Sequence, residues 1–106
     1  MVFFNKEYKV YDLRQYGLKG LYFDLVSAID FMYCAVDHGE KILGGGIIIL
    51  EGKDYIESDN NWYSEEETPE KSLKTAIDYL HRYLIDHPYV DWLVGVITSN
   101  NHQSKE

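Results

Sequence analysis

Gly44-Gly45-Gly46, with Gly52-Lys53 a few residues on, is the part of this sequence that comes nearest to a nucleotide-binding pattern. A phosphate loop needs its glycines to open a helix, so that backbone amides point at the anion, and a hydroxyl beside the lysine to take magnesium. Here the glycines run into the β-branched stretch Ile47-Ile48-Ile49, and Asp54 follows Lys53. Neither requirement is met. The triplet reads instead as a bulge or a close backbone approach at the entrance of a strand.

The other residue types that could do chemistry are equally unconstellated. His38, His81, His87 and His102 form no motif, and His81 and His87 lie about 240° apart around a helix, where a zinc pair needs a four-residue spacing. They read as surface or capping histidines. Asp59-Asn60-Asn61 is rich in oxygen but lacks the alternating ligands, the glycine turn and the distant bidentate glutamate of a calcium loop. Ser58, Ser64, Ser72 and Ser99 have no neighbouring base and no nucleophile-elbow glycines. Cys34 is the only cysteine, which rules out an intramolecular disulfide or a thiolate cage, and its apolar neighbours Phe31 to Val36 read it as a buried structural thiol in a reducing compartment. Carboxylate pairs abound, but so acidic a chain places some pair within catalytic distance in any fold. No catalytic residue, cofactor or metal is assigned, and the chain reads as a non-enzyme.

Charge is where the sequence departs from the ordinary. Residues 51 to 70 hold Glu51, Asp54, Glu57, Asp59, Glu65, Glu66, Glu67 and Glu70 against Lys53 alone, a net −7 of the chain's −8. Such a balance disfavours attraction to nucleic acid or anionic lipid. Like charges this dense repel one another and destabilise the fold. Interleaved with them are Tyr55, Trp62 and Tyr63, of a type enriched in the anchors of protein interfaces, while carboxylates steer a basic partner. Together they describe a docking surface. The plainer alternative is that Glu65-Glu66-Glu67 favours the positive end of the helix that follows and that the rings sit in the core.

The elements that must carry this surface follow from spacing. The chain's 106 residues suit one domain, and 45% hydrophobic and 15% aromatic content is enough to fold. Phe3 to Tyr16 allows either a short strand around Tyr8 to Tyr11 or one helical turn. Leu21, Leu25, Ala28, Ile29, Met32 and Val36 predict a helix over about 21–38, closed by Gly39 in a left-handed cap. Residues 41–51 predict a strand covered on both faces, Glu51 to Asp54 a turn, and Asp54 to Ser58 a returning strand. Asp59 to Tyr63 reads as a loop or a third short strand. Thr68 as cap, Pro69 at the first helical position and the stripe Leu73, Ala76, Ile77, Leu80, Leu84 predict a second helix ending at Asp86. Val90 to Thr98 predicts a core strand, and residues 99–106 a frayed tail. The fold class is α+β, a small mainly antiparallel sheet of three or four strands packed against two helices. With no apolar run long enough to span a bilayer and no signal-peptide pattern at the start, the expected location is the cytoplasm.

Gly44-Gly45-Gly46, the Asp59-Asn60-Asn61-Trp62-Tyr63 segment, and the helix from Ser72 to Tyr79 and Tyr83 resemble a pattern in small bacterial immunity proteins. The order is Gly-Gly, then Asp-Asn-Trp-Tyr, then a Ser-led helix carrying Ala and Tyr. The resemblance spans about residues 40–85, and the doubled asparagine before the tryptophan departs from it. It implies a protein encoded beside a polymorphic toxin, as in contact-dependent growth inhibition, that neutralises the toxin domain by binding it. Toxin domains of such systems are often basic nucleases, which an acidic binder can cover. On that reading Glu57, Asp59, Trp62, Tyr63, Glu65, Glu66 and Glu67 meet the toxin, with Trp62 as aromatic anchor and the carboxylates as partners for Lys or Arg. A cytosolic adaptor domain and a carboxylate-dependent hydrolase are the rival readings.

Overall fold

The computed structural model describes residues 1–100; His102 and nearly all of the expected tail lie outside them. The fold is α+β. Six strands run as β1 (Val2–Phe3), β2 (Lys6–Glu7), β3 (Leu21–Phe23), β4 (Ile42–Glu51), β5 (Asp54–Tyr63) and β6 (Trp92–Thr98). The two α-helices are α1 (Leu25–Asp37) and α2 (Pro69–Asp86), and a 3₁₀ turn occupies Arg14–Tyr16. The main sheet is antiparallel with strand order β3-β6-β4-β5, and β1 and β2 form a separate hairpin.

Helix α2 keeps the bounds its sequence dictates. The Thr68 side chain accepts from the Lys71 backbone N–H, Pro69 takes the first turn, and Ser72, Ala76, Leu80 and Tyr83 face inward. Helix α1 starts later than its apolar spacing predicts. Leu21, Tyr22 and Phe23 form β3, and Asp24 caps the helix by accepting from Ser27 N at 2.9 Å. The strand and the helix both place apolar residues inward, so the periodicity ran through their junction unbroken. Gly39 adopts the expected left-handed conformation, with φ 84°.

Of the two elements expected in the N-terminal stretch, one helical turn is present as the 3₁₀ turn at Arg14–Tyr16, and the strand around Tyr8 to Tyr11 is not formed. Phe4 and Asn5 turn the β1–β2 hairpin with φ of 54° and 62°, and Tyr11 makes a single bridge to Tyr22. The Phe4 ring stacks on His38 at 4.4 Å and lies 5.9 Å from Phe31, contacts that hold a bulky residue in a conformation it rarely adopts.

Both helices cover one face of the sheet. Phe23, Ile47, Val94 and Val96 pack there with Ala28, Phe31, Met32, Ala76 and Leu80. The opposite face is covered at one end only, where Leu13 and Leu18 pack on Tyr22, Ile48 and Leu93, with Tyr16 edge-on to Tyr55 at 5.5 Å. Ile47 and Ile48 thus enter different clusters, which is why the triple isoleucine shows no alternation. Ser99 is tied to the strand beside it, donating its backbone N–H to the Lys41 carbonyl at 3.0 Å.

Candidate interaction surface

The acidic run of the sequence follows the free edge of the sheet. β5 is the outer strand, paired on one side only with β4, and its ten residues span about 30 Å. Glu51 and Asp54 flank the hairpin turn, Glu57 and Asp59 lie further along β5, Glu65 to Glu67 occupy the loop before the Thr68 cap, and Glu70 lies in the first turn of α2. All eight are exposed. Among the described residues the ion pairs are the Met1 ammonium with Glu7, Lys6 with Asp30, Arg14 with Asp12, and Lys74 with Asp78. None of them uses an acid from this edge.

The segment expected as a loop or third strand is the continuation of β5. Register slips between Gly46 and Ile48, where Glu57 faces Ile48 and Asn61 faces Gly46. Three residues of β5 stand against Ile47, with Ser58 Oγ donating to the Ile47 carbonyl at 2.8 Å and accepting from Asn60 N at 3.1 Å. Bulges and carboxylates on an outer strand discourage indiscriminate strand pairing. An Asp-Asn-Asn sequence is tolerated here because an edge strand leaves half its backbone to solvent.

Trp62 corrects the expectation of an exposed anchor. It faces the helices, is 5% exposed, and lies against Tyr79 of α2 with ring centroids 5.1 Å apart. The alternation of β5 sends Trp62 inward, opposite Gly45, and leaves its neighbour Tyr63 outward and 79% exposed. Tyr63 is the aromatic residue that the acidic edge presents. Glu57, Asp59, Glu65, Glu66 and Glu67 lie outward along with it. Of the three loop glutamates, Glu66 is held, accepting from Thr75 Oγ1 of α2 at 3.4 Å. These three precede the cap; the favourable effect of a helix terminus on an anion is about 0.3–1 kcal/mol and fades within a turn.

On the helix-free face the registers set Tyr22, Gly95, Gly46 and Asn61 side by side across the four strands. The adjoining row holds Leu93, Ile48 and Glu57. Two neighbouring glycines leave a groove of about 230 Å³ floored by backbone, with Glu57, Asn61 and Tyr63 at the β5 side, Ile97 exposed beside it, and Lys19 and Tyr22 at the β3 side. Burial raises the Tyr22 phenol above its ordinary value, and the negative charge of Glu57 adds to the rise. Sequence reading placed Glu57 and Tyr63 at a surface but missed the groove. Its signal was Gly95, a lone glycine within the apolar stretch Trp92 to Thr98, which only the register brings opposite the triplet.

His38 and His87 set their Nδ1 atoms 2.8 and 3.2 Å from the carbonyls of Cys34 and Tyr83 at the two helix ends. Cys34 is half-buried, not fully enclosed, and accepts from the Tyr8 hydroxyl at 3.1 Å. Among the described residues no three His, Cys, Asp or Glu side chains gather so as to hold a metal. No described helix is long and apolar enough to cross a membrane.

A small α+β scaffold that carries an unpaired acidic edge beside an open sheet face has the attributes of a protein-binding domain. The chain belongs to the Immunity protein 40 family, Imm40, whose family model matches residues 12–96. That match covers α1, α2 and the whole four-stranded sheet except Ile97 and Thr98. No curated protein and no solved structure matches the chain.

Proposed function

We propose that this protein neutralises a cognate bacterial toxin by direct, non-covalent binding through the β5 edge and the loop after it, with no catalytic step of its own. The observation that carries this reading is the edge itself: six exposed carboxylates follow β5 and its exit loop, with Glu51 at the end of β4 and Glu70 in the first turn of α2 beside them, and none is ion-paired within the described chain. The fold gains nothing from such charge, which repels itself. A basic partner relieves the repulsion and is drawn in by the field.

Glu57, Asp59, Tyr63, Glu65, Glu66 and Glu67 form the proposed contact, and Trp62 acts from within by fixing β5 against α2. Exposed ion pairs contribute only about 0.2–1 kcal/mol each. The carboxylates therefore set association rate and salt dependence, and Tyr63 and the neighbouring face supply the buried area that lasting inhibition needs. The partner class is a basic toxin domain such as a nuclease, met in the cytoplasm, as in contact-dependent growth inhibition.

Co-expression with the toxin domain encoded beside this protein's gene tests the reading. Growth should be restored and the two chains should co-purify. Persistent growth arrest with no complex contradicts it.

A further inference from the structure

The three consecutive glycines of β4 do not share one cause. A Cβ on Gly45 would collide with the Gly95 carbonyl and the Trp62 ring, and one on Gly44 would come within 2.5 Å of the Trp62 carbonyl. Packing against Trp62 fixes both. Gly46 is different: a Cβ there would meet Asn61 Cβ at 3.4 Å and the Asn60 carbonyl at 3.7 Å, which is ordinary contact. Its φ is not positive either. A glycine inside a strand gives up about 0.5–1 kcal/mol relative to alanine, and neither a collision nor a positive φ requires one at this position. Such a glycine often marks a bulge or a place where another molecule approaches the backbone; the bulge next to Gly46 has its extra residues on β5, at Ser58 to Asn60, and not on β4.

Gly46 lies beside Gly95 in register, and both line the groove; a Cβ on Gly95 would meet the Tyr22 ring at 3.0 Å, so the open floor is Gly46. At about 230 Å³ it falls below the roughly 300–1,000 Å³ of small-molecule sites and suits a single side chain. Glu57 is the one carboxylate among its described lining residues and has no ion pair. The Asn61 side chain, exposed on the same wall, adds an amide oxygen. Lys19 stands at the opposite end, roughly 14 Å away as three strand spacings of about 4.8 Å. The groove is therefore polarised, with its acidic end toward the acidic edge.

We propose that this groove is the socket for an arginine side chain of the bound toxin, its guanidinium laid over the Gly46 backbone and bonded to Glu57 and Asn61. The proposal rests on the immunity reading above. A planar, always charged fork with five donors can stack on peptide groups and on the exposed Tyr63 ring while it binds a carboxylate, which a lysine ammonium cannot. Arginine is also among the residues over-represented at interface hot spots.

Binding of the neighbouring toxin domain to wild type, Gly46→Val, Asn61→Arg and Glu57→Gln, with a thermal melt of each, tests the socket. Gly46→Val should melt at or above the wild-type temperature and bind at least about tenfold more weakly, because its branched side chain fills the floor. Asn61→Arg, on an exposed edge position, should weaken binding comparably and decides the matter should Gly46→Val fail to fold. Glu57→Gln should lose about tenfold as well. Folded Gly46→Val and Asn61→Arg proteins that bind within about twofold of wild type overturn the socket and leave the immunity function standing. A wild-type protein that does not bind the toxin overturns both.

Discussion

Gly46 of β4 stands directly opposite Gly95 of β6, so two adjacent positions at the centre of the helix-free face project no side chain. The neighbouring Gly45, one residue away, faces the helices and is pinned by Trp62. Alanine at the two positions should therefore have opposite effects. Gly45→Ala must displace either the Trp62 ring or the β6 backbone and should lower stability by about 1–3 kcal/mol, as overpacking does. Gly46→Ala should be neutral or raise it by up to about 1 kcal/mol. Urea unfolding of the two variants separates them.

Trp62 and Tyr63 divide the labour of a surface between consecutive residues. Trp62→Ala should cost about 3–5 kcal/mol of stability through the cavity it leaves beneath Tyr79. Tyr63→Ala, at a ring 79% exposed, should change stability by less than about 0.5 kcal/mol and yet weaken toxin binding. Paired unfolding and binding measurements on the two variants check this. A large loss of stability in Tyr63→Ala would place that ring in the core instead.

How far this division could be read in advance depended on how local its causes are. Helix α2 was legible to the residue because Thr68, Pro69 and the stripe from Leu73 to Leu84 all act within the helix. The inward turn of Trp62 was one of two open readings, core or surface anchor, because Asp59-Asn60-Asn61 suits a loop as well as a short strand, and pairing with β4 through the bulge at Ser58 decides between them. The acidic edge was visible as a charge run, since charge is additive along the chain. The groove depends on β4 and β6 lying in register across a separation of about 50 residues, and no local pattern encodes that pairing.

Stability should fall at alkaline pH. Tyr8, Tyr22, Tyr79 and Tyr83 all have phenols raised above the ordinary value of 10, in each case chiefly by burial, and Tyr8 further by its hydrogen bond to Cys34. A raised value means the folded state holds the proton more tightly. Their contribution is complete below pH 10 and is lost as pH rises through the folded values above it. On the acid side Asp12, lowered to about 2 by the hydrogen bonds from Arg14, contributes above 3.8 and loses that contribution as pH falls toward 2; the pair is fully solvated, so the effect is small. Unfolding by urea at about pH 8 and about pH 11, followed with tyrosinate absorbance, should show a lower midpoint at the higher pH. Tyr8→Phe should reduce that difference.

The central claim is that the unpaired carboxylates along β5 and its exit loop recruit a basic toxin, and the salt dependence of that association measures it most directly. For wild type, the association rate with the neighbouring toxin domain should fall steeply between low and physiological ionic strength, as screening closes to within about 8–10 Å. Reversing Glu65, Glu66 and Glu67 together to lysine should slow association and flatten that dependence. A triple variant that folds and associates with the wild-type rate and the wild-type salt slope contradicts the account.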